Sequence, residues 1–326
     1  MKALVIISRD QDKASTRFRF VQYEKLLAER NVTLEYVRRD EIDADVLARL
    51  SDYDVLINQK CLMRKSLAKK IIARSRRIIF DMDDAIWTRP GRNHSWFTAW
   101  RVKTRLRQWL SAANVVTVAN DYLGDYARQF SNKVEVIHMA LDAEQWQPHE
   151  IKSGDIITMG WAGSPATLKN LQHIGGLLCE CLTENPNLRL AVYCGKRPEL
   201  PCDFDYTTFA PGTEASFVKQ LDIGLLPLPS DDTFTRGKSP IKALQYMASG
   251  VPVIGQVRGA TAEILNNSNS LQVETTSDWK VAIEFLANDA KKRQQLGSAG
   301  RAFVLQEYNM QRTVEQIVTA MSGAQG

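Results

Sequence analysis

Short apolar runs alternate with longer amphipathic segments along the chain. The runs Ala3–Ile7, Thr33–Val37, Val55–Asn58, Ile78–Phe80, Val115–Val118 and Val134–Ile137 read as strands. Between them a helical period covers Phe18–Arg30, Arg64–Ala73, Trp96–Ser111 and Asp121–Phe130. Residues 142–155 have no period and hold Pro148 and Gly154, which marks a linker. The alternation then restarts. Strands are expected at Ile156–Trp161, Leu188–Tyr193, Tyr206–Thr208, Ile223–Leu226, Val251–Ile254 and Ser270–Val273. Helices are expected at Ala166–Cys181, Glu214–Gln220, Pro240–Ser249, Ala260–Leu265, Asp278–Ala287, Lys291–Gln306 and about Arg312–Ser322. Strand–helix alternation of this kind builds parallel sheets covered on both faces. The expected fold class is α/β, two facing Rossmann-like domains with an interdomain cleft. The expected boundaries are 1–145, 146–310 and a terminal helix over 311–326. Ligands of such folds sit at the carboxyl ends of the strands.

Composition narrows the class. The chain has 326 residues, 44% hydrophobic and 24% charged. That balance excludes disordered and collagen-like chains. No apolar run approaches the roughly 18 residues of a membrane span. Ala3–Ile7 is too short for a signal-peptide core, so a cytoplasmic location is expected. The five cysteines, Cys61, Cys179, Cys181, Cys194 and Cys202, are odd in number and form no C-x-x-C pair. They read as free thiols in a reducing compartment. The four histidines are scattered, and no metal site is expected.

Net charge is +5, unevenly placed. Residues 60–109 alone carry +11, and the remainder carries −6. Such a stretch attracts phosphate-rich partners or the inner face of an anionic membrane, or forms solvated helix faces.

Four segments carry candidate chemistry. In Arg236-Gly237-Lys238-Ser239-Pro240-Ile241-Lys242, Ser239 is expected to cap a helix opened by Pro240, with Gly250 as its stop. Lys242, Gln245 and Ser249 form a polar stripe along that helix. Arg236, Lys238 and Lys242 crowd its start, where the helix dipole disfavours cations, and a bound diphosphate would resolve the conflict. The alternative is a solvated basic turn. In Gly160-Trp161-Ala162-Gly163-Ser164-Pro165-Ala166-Thr167, Ser164 and Pro165 repeat the logic, with Lys169 one turn inside. Asp81, Asp83 and Asp84 follow a strand and could bind Mg²⁺, hold sugar hydroxyls, cap a helix or offset the basic stretch. Ser15, Arg17 and Arg19 occupy the first strand–helix loop, where one arginine is expected to face ligand. His94 lies in a loop and could reach it.

These segments resemble a GT-B glycosyltransferase close to retaining family 4. The resemblance rests on RGKSPIKALQYMASGVPVIG, MGWAGSPATLKNL, LDIGLLPLP, FDMDDAIW, and VANDYLGDYARQF followed by KVEVIHMALDAEQW. It implies a nucleotide-sugar in the C-terminal domain, an acceptor in the N-terminal one, retention, and no cofactor or metal. The family's two glutamates eight positions apart correspond to Gly237 and Gln245. Its diphosphate-binding arginine is absent, which leaves Arg236, Lys238 or Lys242 to replace it. Its P-N-G turn is His138-Met139-Ala140.

The resemblance also implies a terminal helix crossing back to the first domain. Donor binding is expected at Gly163, Ser164, Thr167, Lys169, Arg236, Gly237, Ser239, Pro240 and Gln245. Lys238, Lys242, Asp83 and Asp84 take the catalytic roles. Ser15, Arg17 and His94 stand on the acceptor side. The acceptor class is a glycan or lipid-linked sugar of cell-surface polysaccharide or lipopolysaccharide. Competing readings are a non-catalytic nucleotide-sugar-binding partner and a nucleotide-sugar 2-epimerase. A nucleic-acid binder ranks last, because no recognition module accompanies the basic stretch.

Overall fold

The structure is a computed structural model that describes residues 1–88, 94–148 and 156–323. Two compact units emerge. The first comprises Met1–Ala140, Asp232–Ser239 and Met310–Gly326, and the second Leu141–Asp231 and Pro240–Asn309.

The first unit holds strands β1 (Lys2–Ile7), β2 (Thr33–Arg38), β3 (Val55–Gln59), β4 (Ile78–Met82), β5 (Val115–Val118) and β6 (Val134–Val136). All pair in parallel, in the order β2-β1-β3-β4-β5-β6. Residues of β1, β3, β4 and β5 are buried, as continuous apolar runs require. One face packs Phe80, Leu106, Trp109 and Leu110. The other packs Tyr23, Leu27, Val314 and Ile317, so the terminal helix Met310–Ser322 closes this unit's core. Arg77 donates through Nη2 to the carbonyl of Ala320 at 2.9 Å and ties that helix end down.

The second unit holds β7 (Ile157–Ala162), β8 (Leu188–Cys194), β9 (Asp205–Thr208), β10 (Ile223–Leu226), β11 (Val253–Gly255) and β12 (Ser270–Gln272). Their order is β12-β11-β10-β7-β8-β9, again parallel throughout. In each sheet the chain reverses its direction of strand addition once, between β1 and β3 and between β7 and β10. Those two switch points are where a parallel sheet opens a crevice for ligands.

All twelve expected strands are present within one or two residues, and several helices differ. The helix expected over Phe18–Arg30 divides into Ala14–Arg19, a 3-10 turn Val21–Tyr23 and Glu24–Ala28. The break lies at Phe20 (φ −138°, ψ −57°), where the Gln22 amide donates to the freed Phe18 carbonyl at 2.7 Å. The helix expected over Ala166–Cys181 divides into Pro165–Thr167, Leu168–His173 and Gly175–Glu184. The Gly175-Gly176 pair is a poor helix interior, and the chain resets at Ile174. Helices Ala44–Ala48 and Thr233–Arg236 were not expected. Asp43 and Asp232 cap them, accepting from Val46 N–H at 2.9 Å and Thr235 N–H at 2.8 Å.

The cysteine expectation is corrected. Cys179, on the helix Gly175–Glu184, is bonded to Cys202 in the β8–β9 connection, with Cα atoms 5.3 Å apart. Twenty-three residues separate the pair, so only the fold reveals it. Cys61, Cys181 and Cys194 are buried thiols. Of the expected linker, residues 149–155 lie outside the described residues. Within its described part Trp146 is buried, and its carbonyl accepts from Arg301 at 2.5 Å.

Candidate active site

At the switch point of the first sheet, polar residues end otherwise apolar strands. Gln59 closes β3, and its amide nitrogen donates to the carbonyl and hydroxyl of Ser15 at 3.1 and 3.2 Å. Thr16 donates its hydroxyl to Gln59 Oε1 at 2.9 Å. The loop after β1 is thereby fastened to the end of β3.

Lys60 follows with φ +48°, a left-handed conformation uncommon for a side-chain-bearing residue. Its N–H donates to the Asp81 carbonyl at 2.8 Å, which holds the turn. The Lys60 ammonium reaches Asp83 at 2.7 Å and Asp84 at 2.6 Å. Burial alone would raise the Asp83 carboxyl, but Lys60, Arg19 and the Ser15 hydroxyl hold it below the usual range. Asp84 is pushed up by burial and by the Asp83 charge, against the pull of Lys60. Two adjacent carboxyls are therefore pushed in opposite directions, Asp83 down and Asp84 up.

Lys238, on the Asp232–Ser239 segment, faces the same group. Burial lowers its ammonium, partly offset by the nearby Asp84 charge and reinforced by Lys60. Lys60 was missed in the sequence. The available signal was a polar Asn58-Gln59-Lys60 triplet at the end of an apolar strand.

Of the two arginines in the first loop, of which one was expected to face ligand, Arg19 turns inward. It is buried (4% exposed) and forks onto both carboxylate oxygens of Asp81. Thr117 donates to Asp81 Oδ1 at 2.7 Å. Arg19 and Asp81 therefore saturate each other. Arg17 is half-buried, its guanidinium 5.2 Å from the Phe18 ring centroid. His94 is half-buried, and both ring nitrogens lack a partner among the described residues.

Gly237 is buried, and its carbonyl accepts from the Asn120 amide at 3.3 Å. A Cβ here would lie 2.6 Å from the Ala85 Cβ and 3.0 Å from Leu123 Cδ2. No side chain, least of all a glutamate, fits at this position. Arg236 ends the helix Thr233–Arg236 and is exposed. Ser239 does not cap a helix: the next helix starts at Ile241, Pro240 takes the cap position, and the Ser239 hydroxyl points to the Met139 sulfur at 3.2 Å.

In the second unit the helix Ile241–Ala248 lies over the β7/β10 switch point. The Tyr246 ring rests against Gly224 of β10, where a Cβ would stand 2.6 Å from it. The Tyr246 hydroxyl accepts from the Ala162 N–H at 2.8 Å, fixing the helix to the end of β7. Gly250 (φ +69°) ends it, as expected of a C′ glycine. Lys242 donates to Gln245 Oε1 at 2.9 Å. Gln245 is fully buried and its Nε2 has no partner among the described residues; the Ser249 hydroxyl, one turn on, is in the same state. Buried donors without acceptors are costly, by about 1–3 kcal/mol each, and each calls for an explanation.

After β7, Gly163 donates to the Tyr193 carbonyl at 3.0 Å. Its missing side chain makes room for the Trp161 indole, 2.2 Å from a would-be Cβ. Ser164 and Thr167 bracket a 3-10 turn, with the Ser164 N–H donating to Thr167 Oγ1 at 3.1 Å. Lys169 is exposed.

Residues 176–319 match the family model described as glycosyl transferase-like. No curated protein matches the sequence. Among solved structures, HepE from Anabaena in complex with UDP and glucose superposes with a TM-score of 0.71 at 14% identity, covering 99% of this chain and 100% of that one. Sucrose-phosphate synthase from Thermosynechococcus elongatus gives 0.74 at 12% identity, covering 99% and 98%. A glycosyltransferase from Rickettsia africae gives 0.69 at 9% identity, with the same coverage. At these identities the likeness is one of architecture. The chain has the GT-B fold, and its residues 176–319 carry a glycosyl transferase-like pattern.

Proposed function

We propose that the chain transfers a sugar from a nucleoside-diphosphate sugar to a hydroxyl of a glycan or lipid-linked acceptor, with retention. The observation that carries this reading is the row Lys242, Gln245 and Ser249, where an ammonium stands beside two buried donors lacking partners. A nucleotide's diphosphate and ribose hydroxyls offer the missing acceptors. As the glycosidic bond breaks, charge grows on the departing diphosphate. Lys242, Lys169, the Ser164 hydroxyl and the start of the helix Ile241–Ala248 are the groups assigned to stabilise it. The reading gives this role to cations of the chain and calls for no cofactor.

The acceptor is assigned to the first unit. The proton of the attacking hydroxyl passes to the Asp84 carboxylate, made more basic by burial and the Asp83 charge, while Asp83 and Lys60 keep that group in place. Lys238, Ser15, Arg17 and His94 complete that side. Attack on the face the leaving group vacates preserves configuration through an oxocarbenium-like species. Synthesis of cell-surface polysaccharide or lipopolysaccharide is the corresponding setting.

A second reading is favoured by Gly237, where a family glutamate position has no room for any side chain. In it the protein binds nucleotide-sugar without turnover. Calorimetry against nucleoside diphosphates and their sugars decides, beginning with UDP-glucose, which HepE binds. One donor class is expected to bind, about tenfold or more weakly in Lys242→Ala. Acceptor-dependent release of the diphosphate supports transfer, and binding without release supports the second reading. C2 epimerisation without acceptor would make it an epimerase. No binding at millimolar nucleotide refutes all three.

A further inference from the structure

The proposed transfer uses none of the aromatic residues set among the cations of residues 60–109, and the structure sorts these aromatics into two groups. Trp109 is fully buried against Phe80, with ring centroids 6.0 Å apart, and Trp87 lies flat on Tyr126 at 3.6 Å. Trp96, Phe97 and Trp100 are 81, 51 and 58% exposed. All three lie in the first turns of the helix Trp96–Ala112, whose second half is anchored in the core by Leu106, Trp109 and Leu110. Three large rings left in water within five residues are far more than a scattered surface aromatic.

The helix Lys65–Arg74 runs beside this one. Gln108 donates to the Lys65 carbonyl at 3.3 Å, and the Lys65 ammonium stands 5.8 Å from the Trp100 ring centroid. The two helices carry eight lysines and arginines and no carboxylate. Among the described residues none of these eight forms an ion pair. Arg105 is held below its ordinary value by burial and by the neighbouring Arg101 and Arg64 charges, a sign of mutual repulsion. An uncompensated basic face beside unburied rings requires an anionic partner that also accepts apolar groups.

We propose that this face docks on the headgroup layer of an anionic bilayer, with Trp96, Phe97 and Trp100 seated at its interface. Tryptophan rings settle at the boundary of water and hydrocarbon. Long basic side chains around them reach lipid phosphates, with Arg101 and Lys103 one turn beyond the rings. No described helix is long and apolar enough to cross a membrane, so the contact is peripheral. This inference stands independently of sugar transfer, because vesicle binding is measured without substrate.

The experiment is co-sedimentation of the full chain with phosphatidylcholine vesicles, with and without phosphatidylglycerol. Binding is expected on the anionic vesicles, about tenfold or more weaker on neutral ones, and falling steeply with salt. The triple variant Trp96→Ser, Phe97→Ser, Trp100→Ser should lose about tenfold or more in binding with an unchanged melting temperature. The pair Arg101→Glu, Lys103→Glu should do the same while keeping the rings. Absence of vesicle binding, or triple-variant binding equal to wild type, overturns the proposal. So does a wild-type dimer on gel filtration that the triple variant abolishes without any lipid binding.

Discussion

The two switch points share one scaffold and treat their polar groups oppositely. At the end of β1, β3 and β4 nearly every charge has a partner: Arg19 with Asp81, and Lys60 with both Asp83 and Asp84. Over β7 and β10, the helix Ile241–Ala248 leaves a buried amide and a hydroxyl unanswered at Gln245 and Ser249. The first arrangement is rigid without a ligand, since each charge holds another in place. The second leaves two buried donors unanswered, as the proposed nucleotide contacts require. Orienting groups gain from the first design, and groups that must recognise a diphosphate gain from the second.

The largest test breaks the closed site. Arg19→Met strands the Asp81 carboxylate at 0% exposure. Removing one partner of a buried ion pair costs about 3–5 kcal/mol. Thermal unfolding should fall by several degrees or more. The double variant Arg19→Met, Asp81→Asn should recover much of the loss, because no buried charge is then uncompensated. Equal losses in single and double variants would show that packing, rather than charge, holds this corner.

Next comes Gly237→Ala. Its Cβ would meet Ala85 at 2.6 Å, and overpacking of this kind costs about 1–3 kcal/mol. Adding Ala85→Gly should recover part of the loss in urea unfolding, because it removes the nearest contact and leaves Leu123 Cδ2 at 3.0 Å. Persistence of the full loss would place the strain elsewhere.

A smaller effect concerns pH. His138 is held below its ordinary value of 6.5 by burial, despite the hydrogen bond from its ring to the Ala119 carbonyl. The unfolded chain therefore binds this proton more readily than the folded one. Stability should fall as pH drops through 6.5 toward the lowered value, and be regained above it. His138→Gln should flatten that slope in chemical denaturation between pH 5 and 7, by less than the Arg19 substitution costs at any pH.

The sheets were legible because buried parallel strands are nearly pure Val, Ile and Leu, and such runs have few other readings. Helix interruptions were less so. Phe20 and Ile174 look like good helix residues, and their breaks accompany particular contacts: the Gln22 amide reaching the Phe18 carbonyl, and Gly175 seated against Leu200. The acidic cluster was visible as letters, but Lys60 was not, since its role depends on the β3–β4 register that brings Gln59 beside Asp81. The Cys179–Cys202 bond was hidden for the same reason. Ser239 failed as a cap because a local rule gave way to a contact with Met139, a hundred residues away in sequence.

The smallest stability effect sharpens the comparison most. Gln245→Met keeps the volume of a fully buried side chain while removing an amide whose nitrogen has no acceptor. Ordinarily a buried polar residue is replaced at a cost, because its partner is left behind. Here Gln245 Oε1 accepts from the Lys242 ammonium, and that group can turn to solvent or ligand. The unmet nitrogen is relieved at the same time. The two changes oppose each other, so stability should move by less than about 1 kcal/mol in either direction. Nucleotide affinity should fall by about tenfold, because the ribose or phosphate loses its donor. A large loss of stability with unchanged affinity would reverse the assignment, making the second switch point as closed as the first.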